Sequence, residues 1–164
     1  MIADPLHDLH VLTRSGLPPE DLIWQAATLI SHAVHADWAG LLMPFPGTHA
    51  YQVLSHRPDL STALLAYLDQ RTRSIGPLGL SALTNTHPTY IDHYPSYPDA
   101  KHGAVLLGVN AAAHLPLARH RDHTYVMALL RTTATPTITR HSPWTHHERA
   151  FIDAATRTVQ LAIP

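Results

Sequence analysis

Strand-like runs come in adjacent pairs in this sequence, and helical periodicity brackets them at both ends of the chain. Neighbouring runs of this kind pair as hairpins, whereas parallel sheets need a helix between successive strands. The arrangement therefore specifies an α+β fold built on a largely antiparallel sheet. Leu17-Pro18-Pro19-Glu20-Asp21 opens the first clear helix, with proline in the first turn and two acids at the positive end of the helix dipole. Leu22, Ala26, Ile30, Ala33 and Val34 follow at helical spacing, which predicts an amphipathic helix over 20–36. Residues 1–17 read as an N-terminal arm of weak periodicity.

Trp38 to Phe45 is short, apolar and fenced by Pro44, Pro46 and Gly47, so it reads as a strand with Tyr51 to His56 as its hairpin partner. Leu60 to Leu68 resembles a helix capped by Asp59 or Ser61. Thr89 to Tyr94 has strand propensity between Pro88 and Pro95, and Ala100 to Leu107 forms a short helix. Gly108 to Leu117 and Thr124 to Thr132 make the second strand pair. The last element is the clearest. Thr145-His146-His147-Glu148 has capping-box spacing, and Phe151, Ala155, Val159 and Ala162 then recur at i, i+4, i+8 and i+11. This helix ends on Leu161-Ala162-Ile163-Pro164 without a glycine stop, which points to a following segment in a longer parent protein.

Composition narrows the function classes. The 164 residues suit one domain, and 45% hydrophobic against 14% charged residues is compatible with one packed core. Net charge is -1, there is one lysine, and the arginines are scattered, so no phosphate track for nucleic acid is present. The absence of cysteine removes disulfides, thiolate zinc sites, thiol nucleophiles and thioether-linked chromophores. Met1 to Leu12 is interrupted by Asp4, Pro5, His7 and His10, unlike a signal peptide, and no apolar run approaches the ~20 residues of a membrane span. A cytoplasmic location is the expectation.

The pattern resembles a GAF domain over about residues 18–163. The resemblance rests on the opening helix leading into Trp38-Ala39-Gly40-Leu41-Leu42, on Pro88-Thr89-Tyr90-Ile91, and on Gly108-Val109-Asn110-Ala111-Ala112-Ala113-His114-Leu115-Pro116-Leu117. Trp144 followed by Glu148-Arg149-Ala150-Phe151-Ile152 completes it. The resemblance implies a central antiparallel sheet of about six strands, with N- and C-terminal helices on one face and loops closing a small-molecule pocket on the other. It also implies a regulatory module that signals through its terminal helices, as a homodimer, to a C-terminal output domain. The Asn-Lys-Phe-Asp-Glu set of cyclic-nucleotide-binding members has no counterpart here. The methionine-sulfoxide-reducing and bilin-linking members need the cysteine this chain lacks.

Fifteen histidines invite a metal hypothesis, but the spacings oppose it. His146-His147-Glu148 begins like a helical zinc-protease motif, yet Ala150 and Phe151 stand where its second histidine is needed. His32/His35 and His120/His123 each lack a third ligand nearby in sequence, so no metal is expected. Gly79-Leu80-Ser81-Ala82-Leu83 misses the second glycine of a nucleophile elbow, and Gly76-Pro77-Leu78-Gly79 lacks the lysine of a phosphate loop. No catalytic residue is assigned.

The pocket expectation falls on Tyr90, Asp92, Tyr94, Tyr97 and His114. Three of the six tyrosines lie within eight residues there, alongside Asp92, His93 and Asp99, and aromatic walls with a few polar groups are what small-molecule sites use. Alternation along 89–94 puts Tyr90, Asp92 and Tyr94 on one face, with Ile91 and His93 on the other. If the terminal helices carry more apolar surface than one sheet covers, Ile23, Leu29, Val159 or Ile163 are left for a second subunit. The expectation is a non-enzymatic sensory domain, residues 18–164, with a ligand of unknown identity. Two alternatives stand beside it: a small hydrolase or isomerase using His and Asp of the 92–114 region, and a ligand-free structural dimeriser.

Overall fold

The computed structural model describes residues 4–45, 48–69, 82–132 and 144–163, with side chains from 43 to 50 left undescribed. Ser81 and the glycines at 76 and 79 lie outside the described residues. The elements are α1 (Pro5–Thr13), α2 (Pro19–Val34), β1 (Trp38–Phe45), β2 (Thr48–His56) and α3 (Thr62–Leu68). They continue with β3 (Thr89–Ile91), a 3-10 turn (Tyr94–Ser96) and α4 (His102–Leu106). Two long strands, β4 (Val109–His120) and β5 (His123–Thr132), and helix α5 (His146–Ala162) complete the chain.

The strands form one antiparallel sheet in the order β2-β1-β5-β4-β3. Five strands are present among the described residues, one fewer than the resemblance implies. They are the same five segments that length and punctuation mark in the sequence. β4 and β5 are joined by a two-residue turn in which Arg121 (φ 50) and Asp122 (φ 64) are both left-handed. That geometry suits the right-handed twist of the flanking strands, although glycine and asparagine are its usual occupants.

Helices α1, α2 and α5 cover one face of the sheet. Leu22, Ile23, Ala26, Ala27 and Ile30 of α2 pack with Ile152, Ala155 and Val159 of α5 over Ala39, Leu41, Ala113, Leu115, Met127 and Leu129. On α5 the buried line runs through Ile152, Ala155, Thr156 and Val159, so Phe151 sits at its margin rather than at its centre. The N-terminal seventeen residues, of weak periodicity in sequence, contain α1. Asp4 caps it by accepting from the His7 N–H (3.1 Å), Pro5 occupies the first turn, and Leu9 is fully buried in the helix layer. Three turns of helix with a single buried residue give too little periodicity to read from sequence.

The same layer changes the expectation for subunit pairing. Ile23, Val159 and Ile163 are buried within the chain itself and are not left for a second subunit, while Leu29 packs against the same core and is partly buried. The helix layer gains that area because α1 spans α2 and α5. Exposed large apolar side chains among the described residues are Val11, Leu106 and Leu161.

Two carboxylates brace the end of the sheet, one from the helix layer and one from the start of β1. Arg131, at the end of β5, forms a bidentate pair with Glu148 on α5, donates to the Val34 carbonyl (3.2 Å) and lies over the Trp144 ring at 4.3 Å. Asp37, at the start of β1, accepts from the Thr132 N–H (2.8 Å) and from Arg57 (3.3 Å).

The candidate ligand-binding face

The opposite face of the sheet is floored by small residues. Val53, Gly40, Ala128, His114 and Thr89 lie in one row across all five strands, in that order. Gly40 is required there. A Cβ at this position would lie 2.3 Å from the Trp38 ring, because the indole folds along β1 over its same-face neighbour two residues on. The vacated height above Gly40 and Ala128 lets side chains from distant strands meet. Tyr51 on the β2 edge packs edge-on against Trp38 (centroids 6.0 Å apart, 83°) and against His114 of β4 (6.2 Å, 67°).

This aromatic series is covered by α3, the 3-10 turn and α4. Leu60, Leu64, Tyr94 and Ala104 join Trp38, Ala112, Ala128 and Leu130 in the second core, with Tyr67 and Tyr97 at its margin. Ser61 caps α3 by accepting from the Leu64 N–H (3.1 Å). Gly103 of α4 lets the Tyr67 ring approach to where a Cβ would meet it at 2.5 Å. Tyr94 is fixed by the Lys101 N–H, which donates to its hydroxyl oxygen (2.9 Å), and it stacks on Tyr97 at 6.4 Å.

Electrostatically the face is apolar with a few embedded dipoles. Burial pushes the Tyr51 phenol well above its ordinary range, with the neighbouring Tyr94 adding to the shift. Burial also raises Tyr94, opposed by the Lys101 N–H. The Tyr51 hydroxyl and the Trp38 Nε1–H are buried without a hydrogen-bond partner among the described residues.

The five residues expected to line one site are divided between two environments. His114, Tyr94 and Tyr97 lie on this second face. Tyr90 and Asp92 face α5 instead. The Tyr90 hydroxyl donates to Asp153 (2.7 Å), and its ring lies under the Arg149 guanidinium at 4.7 Å. Asp92 accepts from Arg149 at both carboxylate oxygens (2.7 and 2.6 Å) and from the Trp144 N–H (3.2 Å). Tyr90 and Asp92 share a side, as strand alternation predicts, but Tyr94 does not join them. β3 ends at Ile91 and the chain enters a 3-10 turn at Tyr94, which carries that ring to the Ile91 side.

Asp92 and His114 therefore do not form an acid–base dyad. His93 and Ser96 do touch (Nδ1 to Oγ, 2.6 Å), but both are exposed, and the contact spans the 3-10 turn locally. No group of three or more His, Asp or Glu side chains is placed to hold a metal among the described residues.

Trp38 and Tyr51 are absent from the sequence-level site because both read as ordinary strand residues. One signal does exist. An aromatic residue followed by glycine two positions later on the same strand face announces a ring lying flat on the backbone.

No protein-family model and no curated protein matches this sequence. Solved structures do. The chain is similar to the GAF domain of a phosphoenolpyruvate-protein phosphotransferase from Coxiella burnetii (TM-score 0.58, 14% identity, covering 94% of this chain and 88% of that one). It is similar to a far-red-absorbing dark-state protein with bound biliverdin IXa (TM-score 0.61, 8% identity, 97% and 95% covered). It also resembles the N-acylhomoserine-lactone-dependent LuxR family transcription factor CepR2 from Burkholderia cenocepacia (TM-score 0.59, 15% identity, 96% and 90% covered). The fold is that of GAF domains, as the opening helix, the Trp38–Leu42 strand and the Trp144–Ile152 segment imply. No helix among the described residues is long and apolar enough to cross a membrane.

Proposed function

We propose that this chain is a sensory or regulatory domain that holds a small molecule on its second sheet face and transmits occupancy through α5. The observation that carries this reading is the Trp38–Tyr51 pair beside His114, where the Trp38 indole N–H and the Tyr51 hydroxyl are buried over a floor of Gly40 and Ala128 without a hydrogen-bond partner among the described residues. A collapsed structural core would be expected to carry aliphatic side chains there, because buried polar atoms without partners are destabilising. The solved relatives support the reading, since the biliverdin-bound structure and the lactone-dependent transcription factor are named for small molecules. His114, Tyr94 and Tyr97 belong to the ligand wall in this proposal. Tyr90 and Asp92 serve the output side: Asp92, just beyond β3, is gripped by Arg149 of α5, so displacement of the β3-to-3-10 segment pulls directly on that helix.

The same proposal places the domain in the cytoplasm, without catalytic activity of its own, ahead of an output domain joined after α5. Homodimerisation, if it uses the terminal helices, falls to Val11 of α1 and Leu161 of α5, which are 58% and 69% exposed. Native mass spectrometry of the purified protein tests the core of this reading. A retained small molecule released on denaturation is the expected result. A protein that stays ligand-free from every expression host, with an unbroken second core in its crystal structure, overturns it in favour of a structural dimeriser.

A further inference from the structure

Two buried polar groups of the second face, the Trp38 indole N–H and the Tyr51 hydroxyl, have no hydrogen-bond partner among the described residues. Three comparable groups elsewhere in the chain are satisfied. The Trp144 indole donates to the Ala112 carbonyl (3.0 Å), the Tyr90 hydroxyl donates to Asp153, and the Tyr94 oxygen accepts from the Lys101 N–H. Trp38 is 1% exposed, and neither its indole N–H nor the buried Tyr51 hydroxyl has a partner among the described residues. The two rings pack edge-on with centroids 6.0 Å apart, so both donors belong to one aromatic pair. An indole N–H is only a donor. The Tyr51 phenol is kept protonated by burial, so it too has a proton to give. The indole therefore calls for an acceptor, and the Tyr51 hydroxyl beside it can donate to the same molecule.

Charge selects further. Arg57 is committed to Asp37 and Asp59, and Arg131 to Glu148 on the helix-covered face. A carboxylate or phosphate on the second face would lose its water without gaining either of these arginines as a counter-charge. An uncharged acceptor has a much smaller desolvation cost, which two hydrogen bonds can offset, and the remaining surroundings, Leu42, Val126, Ala128 and Leu130, suit an apolar body.

We infer that the ligand is an uncharged molecule whose carbonyl-type oxygens accept from Trp38 Nε1–H and Tyr51 Oη–H. This rests on the reading of the second face as a ligand site, and deepens it from a place to a class.

The test follows the indole N–H signal of Trp38 by heteronuclear NMR, assigned by its loss in Trp38→Phe. Three probes of equal ring size are titrated into the wild-type protein: cyclohexane-1,4-dione, cyclohexane and cyclohexanecarboxylate. The dione is expected to move the Trp38 indole proton downfield saturably, and Tyr51→Phe to weaken it about fivefold, the scale of one neutral hydrogen bond. Cyclohexane and the carboxylate are expected to leave that proton where it is. Tighter binding of the carboxylate, or equal binding of cyclohexane with no effect of Tyr51→Phe, overturns the acceptor class while leaving a ligand site standing. If no probe perturbs the Trp38 signal at millimolar concentration and native mass spectrometry finds no retained molecule, the ligand site falls as well, the two donors then being served by water alone.

Discussion

Glu148 performs two jobs with one carboxylate. It closes the capping box of α5 by accepting from the Thr145 N–H (3.0 Å), and it receives both Arg131 donors from the sheet. Burial opposes its ionisation, but the Arg131 and Thr145 hydrogen bonds win and hold the carboxyl down at about 2 from the usual 4.5. A carboxylate with a depressed pKa in the folded state contributes stability that is present above 4.5 and lost as pH falls towards 2. Glu148→Gln is therefore expected to cost about 2 kcal/mol at pH 7, the worth of a charge-assisted pair. The gap from wild type should close between pH 4.5 and 2, as thermal melts across that range would register. Thr156 makes the opposite case. Thr28 and Thr158 return their hydroxyls to the carbonyl four residues back, whereas the buried Thr156 hydroxyl has no partner among the described residues. Thr156→Val keeps the shape and removes the orphan, so urea unfolding should show equal or greater stability, by up to about 1 kcal/mol. A clear loss would mean that the hydroxyl is hydrogen-bonded in solution.

At the scale of elements, the junction between β3 and α5 is where fold and proposed signal meet. Arg149 donates through Nε to the Trp144 carbonyl (3.1 Å) while its outer nitrogen grips Asp92, so one side chain clamps the start of α5 to the sheet edge. Both charges are partly exposed, which limits the pair to about 1 kcal/mol of coupling in a double-mutant cycle of Asp92→Asn and Arg149→Gln. The local consequence is expected to be larger than the global one. Amide exchange at Tyr90 and Ile91 should accelerate in Asp92→Asn, because a three-residue edge strand has little else to hold it. Unchanged exchange there would remove the clamp from the proposed transmission route. Element types were largely legible: the capping box, the two hairpin pairs and the stripe of α2 appear where periodicity and punctuation put them. The end of β3 was not, because Pro95 marks a break without saying that the chain turns into a 3-10 helix one residue earlier.

The whole molecule is a sheet with a helical layer on each side, and its stability depends on an element that carries almost no sequence signal. Leu9 of α1 is fully buried between α2 and α5, so Leu9→Ala is expected to cost about 2–5 kcal/mol, the range for a core cavity. A cost below about 0.5 kcal/mol in chemical denaturation would return α1 to the status of a loose arm. Gly40→Ala tests the other side. Its Cβ must displace the Trp38 ring, and a loss of about 1–3 kcal/mol is the usual result of such overpacking.

The α+β class, the antiparallel pairing of the strands, both principal helices and the exclusion of cysteine chemistry are all legible in the order of residues along the chain. Those follow from periodicity, capping and composition, which act between residues close in the chain. Which polar groups come to lie in the same surroundings is set by the folded chain. Tyr90 and His114 sit on strands paired side by side yet face opposite layers. Trp38, Tyr51 and His114 come from three different strands and meet over a glycine. That meeting depends on strand order, on the register that aligns Gly40 with Ala128, and on the irregularity between Ala39 and Gly40. These are properties of contacts between distant segments, set by how the whole core packs.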